Sequence, residues 1–351
     1  MKYYNELLKE DLEHILIHTK DIWENFKDKT IFITGGTGFF GKWFLETFAY
    51  ASNKLNLNCK IIVLSRKPEK FLDEFVYIKN NPIFKFVKGD VRNFISPSEP
   101  IDYIIHAATE ASAKLNNEEP LLMMDTIIEG TKRTLELAKE KRVKSFLFIS
   151  SGAVYGKQPS DITHISEDYI GAPNCQDPSS AYGEGKRVGE LLSAIYFKQF
   201  GVPVKIARCF AFVGPYLPLD AHFAIGNFIL NALKGEDIII KGDGTPYRSY
   251  LYAADLMIWL LTILLKGKNN VAYNVGSDED LNIKELANTI ADCFEIKIEV
   301  EIKTIPDTKS NIERYVPSVT RIKQELQLDV NIDLISSAKK TIKYYLNEKP
   351  I

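Results

Sequence analysis

The chain has 351 residues, a formal charge of -2 and 26% charged residues. This length is ample for a large hydrophobic core, and without a basic surplus nucleic acid is excluded as the expected partner. The four cysteines are too far apart for a metal or redox motif, so we expect no metal and a reducing, cytoplasmic location. Residues 1–28 lack the apolar core of a secretory signal, and the apolar run 256–265 is too short to span a membrane.

In chain order, the first predicted element is an amphipathic helix over residues 3–27, where apolar side chains recur at helical spacing among charges. Residues 29–43 then have the pattern of a buried strand, a glycine turn and the start of a helix. Glycines at three-residue spacing allow a tight turn and bring backbone N–H groups close to phosphate oxygens. The turn therefore predicts a dinucleotide site, whose cofactor-binding residues are Gly35, Thr37, Gly38, Phe39, Phe40 and Gly41.

Four further apolar runs predict strands at 60–64, 84–87, 103–105 and 145–151. Helical patterns separate several of them and follow the last, at 41–52, 121–140 and 181–200. Since crossovers of this kind are nearly always right-handed βαβ units, we expect a parallel sheet with its ligand at the carboxyl ends of the strands. The predicted cofactor contacts at these strand ends are Asp90, Val91, Ala107, Ala108 and Thr109. Asp90 suits an adenine amino group and equally suits a turn cap.

The second strand ends in Ser65-Arg66-Lys67, about 24 residues after Gly41. An NAD site usually has Asp or Glu there to bind the ribose 2′-hydroxyl, whereas arginine suits a 2′-phosphate. Ser65 and Arg66 are therefore predicted cofactor contacts that favour NADP over NAD. The alternative is that Arg66 and Lys67 only solvate the strand end.

The candidate catalytic residues are Tyr182 and Lys186, one turn apart on the predicted helix 181–200. An ammonium on the same helical face favours the phenolate form of a tyrosine and can also reach a ribose hydroxyl. Ser151, at the end of the fifth strand, can hydrogen-bond the same substrate oxygen and orient it for proton transfer. Together with the glycine turn, these residues predict a dinucleotide-dependent enzyme.

Over roughly residues 29–290 the chain resembles the extended short-chain dehydrogenase/reductase family of nucleotide-sugar epimerases, dehydratases and decarboxylases. The resemblance rests on Gly35-x-x-Gly38-x-x-Gly41, Gly89-Asp90-Val91, His106-Ala107-Ala108, residues 150–156, Tyr182-x-x-x-Lys186, Gly214-Pro215, residues 227–229 and 242–244, Arg248 and Asp255-Leu256. It implies an α/β fold, a doubly wound Rossmann-type parallel sheet with a smaller C-terminal α/β substrate lobe. It also implies NAD or NADP as cofactor, a nucleoside-diphosphate sugar as partner, catalysis by Ser151, Tyr182 and Lys186, and a diphosphate held by Arg248.

The chain departs from the family pattern directly after Ser151. The 4,6-dehydratases carry an Asp-Glu pair there and the decarboxylases a Glu, whereas this chain has Gly152 and Ala153, which cannot move a proton. Two family asparagines are replaced by Ile127 and Ala211, so other residues are expected to contact the substrate. The predicted substrate contacts are Glu110, Ser151, Gly152, Asn227 and Arg248, with Thr109 and His222 as further candidates.

These residues favour a 4-epimerase, which needs only the Ser-Tyr-Lys triad and room for a 4-keto sugar to turn over. A 4,6-dehydratase that uses Glu110 and a decarboxylase, which segments 184–187 and 242–256 resemble, are the alternatives, with a catalytically silent cofactor-binding regulator as a remote one. The predicted dinucleotide lobe is 1–207 with 246–275, in which 1–28 is a helical extension, and the sugar lobe is 208–245 with 276–351. Apolar helices around 121–140 and 181–200 predict a homodimer.

Overall fold

The computed structural model of the chain describes residues 4–109, 113–221, 223–305 and 312–348. Its strands are β1 (Thr30–Thr34), β2 (Lys60–Ser65), β3 (Phe84–Lys88), β4 (Tyr103–His106), β5 (Ser145–Ser151), β6 (Val204–Cys209), β7 (Phe212–Val213), β8 (Ile238–Ile240), β9 (Tyr247–Ser249), β10 (Leu251–Tyr252), β11 (Ala272–Val275), β12 (Asp280–Asn282), β13 (Val300–Ile302) and β14 (Arg314–Tyr315).

Its α-helices are α1 (Lys9–His18), α2 (Phe39–Leu55), α3 (Pro68–Glu74), α4 (Val76–Lys79), α5 (Ala113–Glu118), α6 (Pro120–Lys141), α7 (Ala181–Phe200), α8 (Ala224–Leu233), α9 (Ala253–Lys266), α10 (Ile283–Ala291), α11 (Thr320–Leu326) and α12 (Leu334–Glu348). Among the described residues, none of these helices combines the length and the apolar composition that a membrane span requires.

Seven strands form one sheet in the order β11-β6-β5-β4-β1-β2-β3. The pairs β5-β4, β4-β1, β1-β2 and β2-β3 are all parallel. Residues 31–33 of β1 are completely buried, as expected where helices cover both faces of a parallel sheet. The order β3-β2-β1-β4-β5-β6 reverses direction between β1 and β4, which is the doubly wound arrangement. The predicted α/β fold is therefore confirmed.

A single aromatic and aliphatic core joins this sheet to α6 and α7. Phe32, Phe146 and Phe148 from the sheet pack in one cluster with Leu135 of α6 and Tyr196 of α7. All but Tyr196, which is 6% exposed, are fully buried. The cluster fixes α7 against the sheet, and α7 carries the two candidate catalytic residues.

The chain divides into two compact units. The first comprises Met1–Gly156, Ala172–Arg208 and Met257–Tyr273, and the second comprises Lys157–Gly171, Cys209–Leu256 and Asn274–Ile351. Segments 157–171, 246–256 and 274–275, predicted from sequence to be in the dinucleotide lobe, thus belong to the second unit, and Arg208, predicted to be in the sugar lobe, belongs to the first. The reason is pairing between distant parts of the chain, because Ile165 exchanges backbone hydrogen bonds with Val316 and Ser318, and β9 pairs with β12 and β14.

The described part of the second unit contains three small sheets. Strand β9 lies between β12, which is antiparallel to it, and β14, which is parallel. Strands β10 and β7 form a parallel pair, and so do β13 and β8. Helix α10 begins with a capping box, in which Asn282 and Glu285 each accept a hydrogen bond from the other's backbone N–H.

The N-terminal segment differs from the single helix predicted over 3–27. It consists of a 3-10 turn at Glu6–Leu8, then α1, then a second 3-10 turn at Trp23–Phe26. The chain leaves the helix at Thr19, whose hydroxyl donates to the Ile15 carbonyl and accepts from the Trp23 indole at 2.9 Å. The prediction of one continuous helix is wrong because these side-chain hydrogen bonds, which periodicity does not report, turn the chain.

Candidate active site

The turn between β1 and α2 is packed so tightly that it requires glycine. Gly35 has a φ of +72°, and a Cβ there would lie 2.5 Å from the carbonyl oxygen of Ala107. A Cβ on Gly41 would collide with the backbone of Gly35 and Gly36. Gly38 then caps α2 in an extended conformation, and the first N–H groups of a helix have no carbonyl partner within it. The turn fits a pyrophosphate, since backbone can approach closely and the helix dipole favours its charge.

The other predicted cofactor contacts follow the carboxyl ends of β2, β3 and β4. These strands are parallel to β1 and lie beside it or next along the sheet, so their carboxyl ends share one edge. The residues that end or follow these strands at this edge are Ser65, Arg66, Asp90, Val91, Ala107, Ala108 and Thr109, and the glycine turn itself carries Thr37, Phe39 and Phe40. Their contacts with a cofactor stay predictions.

A neutral histidine supports this edge. His106 ends β4 and is buried, with Nδ1 2.8 Å from the Thr34 hydroxyl and Nε2 3.1 Å from the Thr131 hydroxyl. The Thr34 hydroxyl also accepts from the Ala108 N–H at 3.2 Å. Burial, followed by the positive charge of Lys186, lowers the pKa of His106 to about 3. The uncharged imidazole therefore joins β4 to β1 and α6, and the Thr34 hydroxyl bonds the turn that follows β4.

We expect His106 to make the first unit sensitive to acid. Its pKa falls from 6.5 to about 3 in the fold. Below about pH 6.5 the unfolded chain therefore binds a proton that the folded chain does not, and stability should decrease by up to about 1.4 kcal/mol per pH unit. The measurement is urea unfolding at about pH 7 and about pH 5, followed by tryptophan fluorescence. Trp23, Trp43 and Trp259 all lie in the first unit.

The variant His106→Gln should be less stable near neutral pH but should lose less stability on acidification than the wild type. The matched control is His164→Gln in the second unit, which should keep the wild-type acid loss. Equal acid losses in the wild type and His106→Gln would contradict the expectation.

Ser151 ends β5 and is 6% exposed. Its hydroxyl accepts from the Ala153 N–H at 3.2 Å and so caps the 3-10 turn Gly152–Tyr155. A Cβ on Gly183 of α7 would lie 2.9 Å from the Ala153 carbonyl oxygen, so the first turn of α7 packs directly on this turn. Neither Gly152 nor Ala153 has an ionisable group, and the position beside the serine hydroxyl is chemically inert.

Tyr182 and Lys186 lie one turn apart on α7. The Lys186 side chain is buried at 3% exposure, and its Nζ donates to the Thr109 hydroxyl at 2.9 Å and to the Ile149 carbonyl at 2.8 Å. This ammonium lies 5.9 Å from the centroid of the Tyr182 ring. The ammonium thus lies near the phenol ring, and it is anchored from the turn after β4 and from β5.

Asn116 of α5 holds the start of α7, a role that the sequence did not indicate. Its Oδ1 accepts from the Tyr182 N–H at 3.0 Å and its Nδ2 donates to the Ser179 carbonyl at 2.6 Å. The two segments are 66 residues apart in sequence. No local sequence pattern predicts the contact between Asn116 and the start of α7, because α5 is a short helix of six residues.

A partly buried ion pair, Glu190–Arg208, contacts the segment around Ser151. Glu190, one turn after Lys186, accepts from Arg208 at 2.7 Å and from the Ser150 hydroxyl at 2.6 Å, and Arg208 also donates to the Tyr155 hydroxyl at 2.9 Å. Burial opposes the charge of Arg208, but the hydrogen bonds and charge of Glu190 outweigh it and raise the pKa of the guanidinium. This network was not predicted from the sequence, because its members come from β5, the 3-10 turn after it, α7 and β6.

Asn227 and Arg248, predicted to contact substrate, lie in the second unit on α8 and β9. The Arg248 guanidinium donates to the Tyr247 carbonyl at 2.8 Å and to the Glu313 carboxylate at 2.5 Å. No sequence pattern indicates Glu313 as its partner, and the diphosphate contact of Arg248 stays a prediction. Glu110 and His222 lie outside the described residues.

The sheet is open and parallel, and a glycine turn follows its first strand. Ser151 ends β5, and Tyr182 and Lys186 lie on α7. These features together define a dinucleotide-dependent class of α/β enzymes. Within that class, the family model described as NAD dependent epimerase/dehydratase family matches residues 31–276. The chain belongs to this family, which confirms the resemblance to extended short-chain dehydrogenases/reductases and identifies it as an enzyme.

Similar proteins span most of the chain. UDP-glucuronic acid decarboxylase 6 of Arabidopsis thaliana is 30% identical over 309 residues, which cover 87% of this chain and 85% of the relative. Among solved structures, UDP-N-acetylglucosamine 4-epimerase from Methanobrevibacter ruminantium has a TM-score of 0.79 at 22% identity and covers 92% of this chain and 100% of its own. A dTDP-glucose 4,6-dehydratase from Streptomyces venezuelae, with NAD and TYD bound, has a TM-score of 0.77 at 23% identity, covering 91% and 97%. These structures share the fold.

Proposed function

We propose that this enzyme is a nucleotide-sugar 4-epimerase that forms a 4-keto intermediate and returns it as the 4-epimer. The observation that carries the proposal is the contrast between two neighbouring features. Lys186 is anchored beside the Tyr182 ring and Ser151 lies at the same edge of the sheet, whereas Gly152 and Ala153 provide no acid or base for elimination or decarboxylation. The chain thus has the groups that epimerisation needs, and the two positions after Ser151 carry no acid or base for the other two reactions.

In the proposed mechanism the Tyr182 phenolate accepts the proton of the sugar C4 hydroxyl, and Ser151 hydrogen-bonds the same oxygen. Lys186 stabilises the phenolate by its charge and reaches a ribose hydroxyl of the cofactor. The chemistry that a nicotinamide supplies when bound is reversible acceptance of a hydride from C4. After the ketone has turned to present its other face, Tyr182 returns the proton to the C4 oxygen, and the hydride held by a bound nicotinamide would return to C4 on that face.

The test is incubation with UDP-, dTDP-, GDP- and CDP-hexoses and identification of products by NMR. Interconversion of a sugar with its 4-epimer supports the proposal. A 4-keto-6-deoxy product, formed by a dehydratase that uses Glu110, would contradict it.

UDP-glucuronate decarboxylation is the second candidate. The relatives that favour it are named UDP-glucuronic acid decarboxylases, and the first of them is 30% identical to this chain. Ala153 disfavours decarboxylation, because the decarboxylases that the sequence resembles carry a Glu at this position. Release of carbon dioxide from UDP-glucuronate would support decarboxylation and contradict the epimerase proposal.

We propose NADP rather than NAD as the preferred cofactor. Arg66 follows β2 where an acidic residue would select NAD.

Hydrogen bonds from Arg92 lower the pKa of Asp90 against the opposing effect of burial, and the charge of Arg66 lowers this pKa further. Arg92 donates to both carboxylate oxygens at 2.9 Å, so Asp90 caps the turn after β3 as one of its two predicted roles requires. Its contact with adenine stays a proposal.

The variant Arg66→Ala should weaken NADPH binding about tenfold, the effect of losing one charge-assisted hydrogen bond, and change NADH binding less than about twofold. Fluorescence titration of the reduced cofactors measures both. Lys67→Ala, the neighbouring cation, is the matched control and should leave both affinities near the wild-type values. A wild-type enzyme that binds NADH much more tightly than NADPH would contradict the proposal.

We also propose a cytoplasmic homodimer. Leu191 and Ile195 are exposed at successive turns of α7, and Leu121 is exposed at the start of α6, which packs beside α7. Free thiols, two of them buried as Cys59 and Cys209, fit a reducing compartment. Light scattering should give twice the chain mass of 39.9 kDa, and a monomer mass would refute the dimer.

A further inference from the structure

The residue after Ala107-Ala108, Thr109, contacts the buried ammonium of Lys186 rather than only lining the cofactor edge. Its Oγ1 accepts from Nζ at 2.9 Å. The Thr109 backbone is fixed independently, because its N–H donates to the Ala107 carbonyl at 2.9 Å and the Ala108 N–H is held by the Thr34 hydroxyl. The hydroxyl is thus presented to Lys186 by a turn that does not depend on that contact.

A second set of contacts defines the position in which Lys186 is held. The Ile149 carbonyl accepts from Nζ at 2.8 Å, and the ammonium lies 5.1 Å from the centroid of the Phe148 ring. A buried ammonium is costly unless its N–H groups have acceptors, so loss of either oxygen should move or destabilise the charge. Thr109 supplies an acceptor from the turn after β4, and Ile149 supplies one from β5.

The choice of a hydroxyl has a chemical consequence. A carboxylate at this place would also bind the ammonium but would cancel its charge, and the effect of Lys186 on the Tyr182 phenol would be lost. A hydroxyl accepts the hydrogen bond and leaves the positive charge intact. We propose that Thr109 is a positioning residue that holds the Lys186 ammonium beside Tyr182 without neutralising it.

The charged and titratable groups around this ammonium allow its effect to be measured. Tyr182 lies on the same helix, and His106 approaches from β4 but has a pKa of about 3 and so stays neutral near working pH. Glu184 and Arg187, also on α7, pair with each other at 3.5 Å. A change in the titration of Tyr182 after substitution of Thr109 therefore reports on the ammonium.

The experiment compares Thr109→Val, which has a similar volume but no hydroxyl, with Thr109→Ser, which keeps the hydroxyl. Tyrosinate is titrated by ultraviolet difference spectroscopy in the full-length protein, each variant against the same variant carrying Tyr182→Phe. Thr109→Val should move the Tyr182 midpoint to higher pH by roughly half a unit or more, and Thr109→Ser should restore the wild-type midpoint.

Turnover gives a second readout. Thr109→Val should lower kcat about tenfold with KM within about twofold of the wild type, and the acid limb of its rate profile should move to higher pH. Unchanged kcat and midpoint in Thr109→Val, or equal changes in Thr109→Val and Thr109→Ser, would overturn the proposal. If Thr109→Val does not fold, Thr109→Ala makes the same test.

The inference rests on the proposed function, but the two fail in different ways. The tyrosinate titration needs no nucleotide sugar, so a wild-type enzyme inactive towards every sugar would contradict the epimerase proposal and leave the result for Thr109 standing. If the wild-type enzyme is active but the Tyr182 titration midpoint is the same with and without the Thr109 hydroxyl, only the role of Thr109 is contradicted.

Discussion

The Tyr182→Phe enzyme should convert its nucleotide sugar about 10²- to 10⁴-fold more slowly than the wild type, because the phenol is the proposed acid and base and general acid–base catalysis supplies a factor of this size. Its substrate KM should change little, since the ring remains and the proton is transferred only in the chemical step. NMR assay of the 4-epimer measures the rate, and fluorescence titration with NADPH measures whether the affinity of the variant for the cofactor is unchanged.

The fold of this variant should be intact. Asn116 bonds the backbone N–H of residue 182, not its side chain, so Phe keeps the start of α7 in place. The matched control is Tyr345→Phe, which removes a phenol that donates to the Leu217 carbonyl at 2.5 Å within the second unit and should leave turnover unchanged. If Tyr182→Phe retained more than about a tenth of the activity, Tyr182 would not be the proton carrier. A catalytically silent regulator, by contrast, would keep its regulatory effect in the Tyr182→Phe variant.

Local pattern predicted the parts of the first unit that are built from strongly patterned segments. Strand β5 runs over Ser145–Ser151 and α7 over Ala181–Phe200, both with their predicted bounds, because an unbroken apolar run and a long periodic segment specify buried elements strongly. The glycine turn was equally predictable, since its backbone leaves no room for a Cβ at Gly35 or Gly41. Residues on these elements therefore lie where the sequence placed them.

The contacts that complete the site were beyond local pattern. Thr109 binds Lys186 across 77 residues of sequence, and Arg248 binds Glu313 across 65. Such pairs depend on which strands become neighbours, and the bounds of the two units depend in the same way on Ile165 pairing with residues near 317. Polar side chains at strand ends have no periodicity, so their partners become visible only in the fold.

The Glu190→Gln variant should lose about 1 to 3 kcal/mol of the free energy of unfolding of the first unit, the usual effect of leaving a charged group in a partly buried site without its full set of partners. The two side chains are only 13% and 17% exposed, so water can replace the lost partner of Arg208 only in part. Urea unfolding followed by tryptophan fluorescence measures the loss, because all three tryptophans lie in the first unit. Glu69→Gln is the matched control, since its pair with Lys88 at 3.1 Å is exposed and should contribute nothing measurable.

Replacement of both members of the pair separates the cost of an isolated charge from the value of the network. A Glu190→Met/Arg208→Met protein should regain most of the stability that Glu190→Gln loses, because two apolar side chains leave no buried charge behind. It should be less active than the wild type, since the Ser150–Glu190 and Tyr155–Arg208 hydrogen bonds on the segment that carries Ser151 would be lost. A double variant as active as the wild type would show that Ser151 is held by its own turn, and a Glu190→Gln loss no larger than that of Glu69→Gln would show that Arg208 is solvated despite its low exposure.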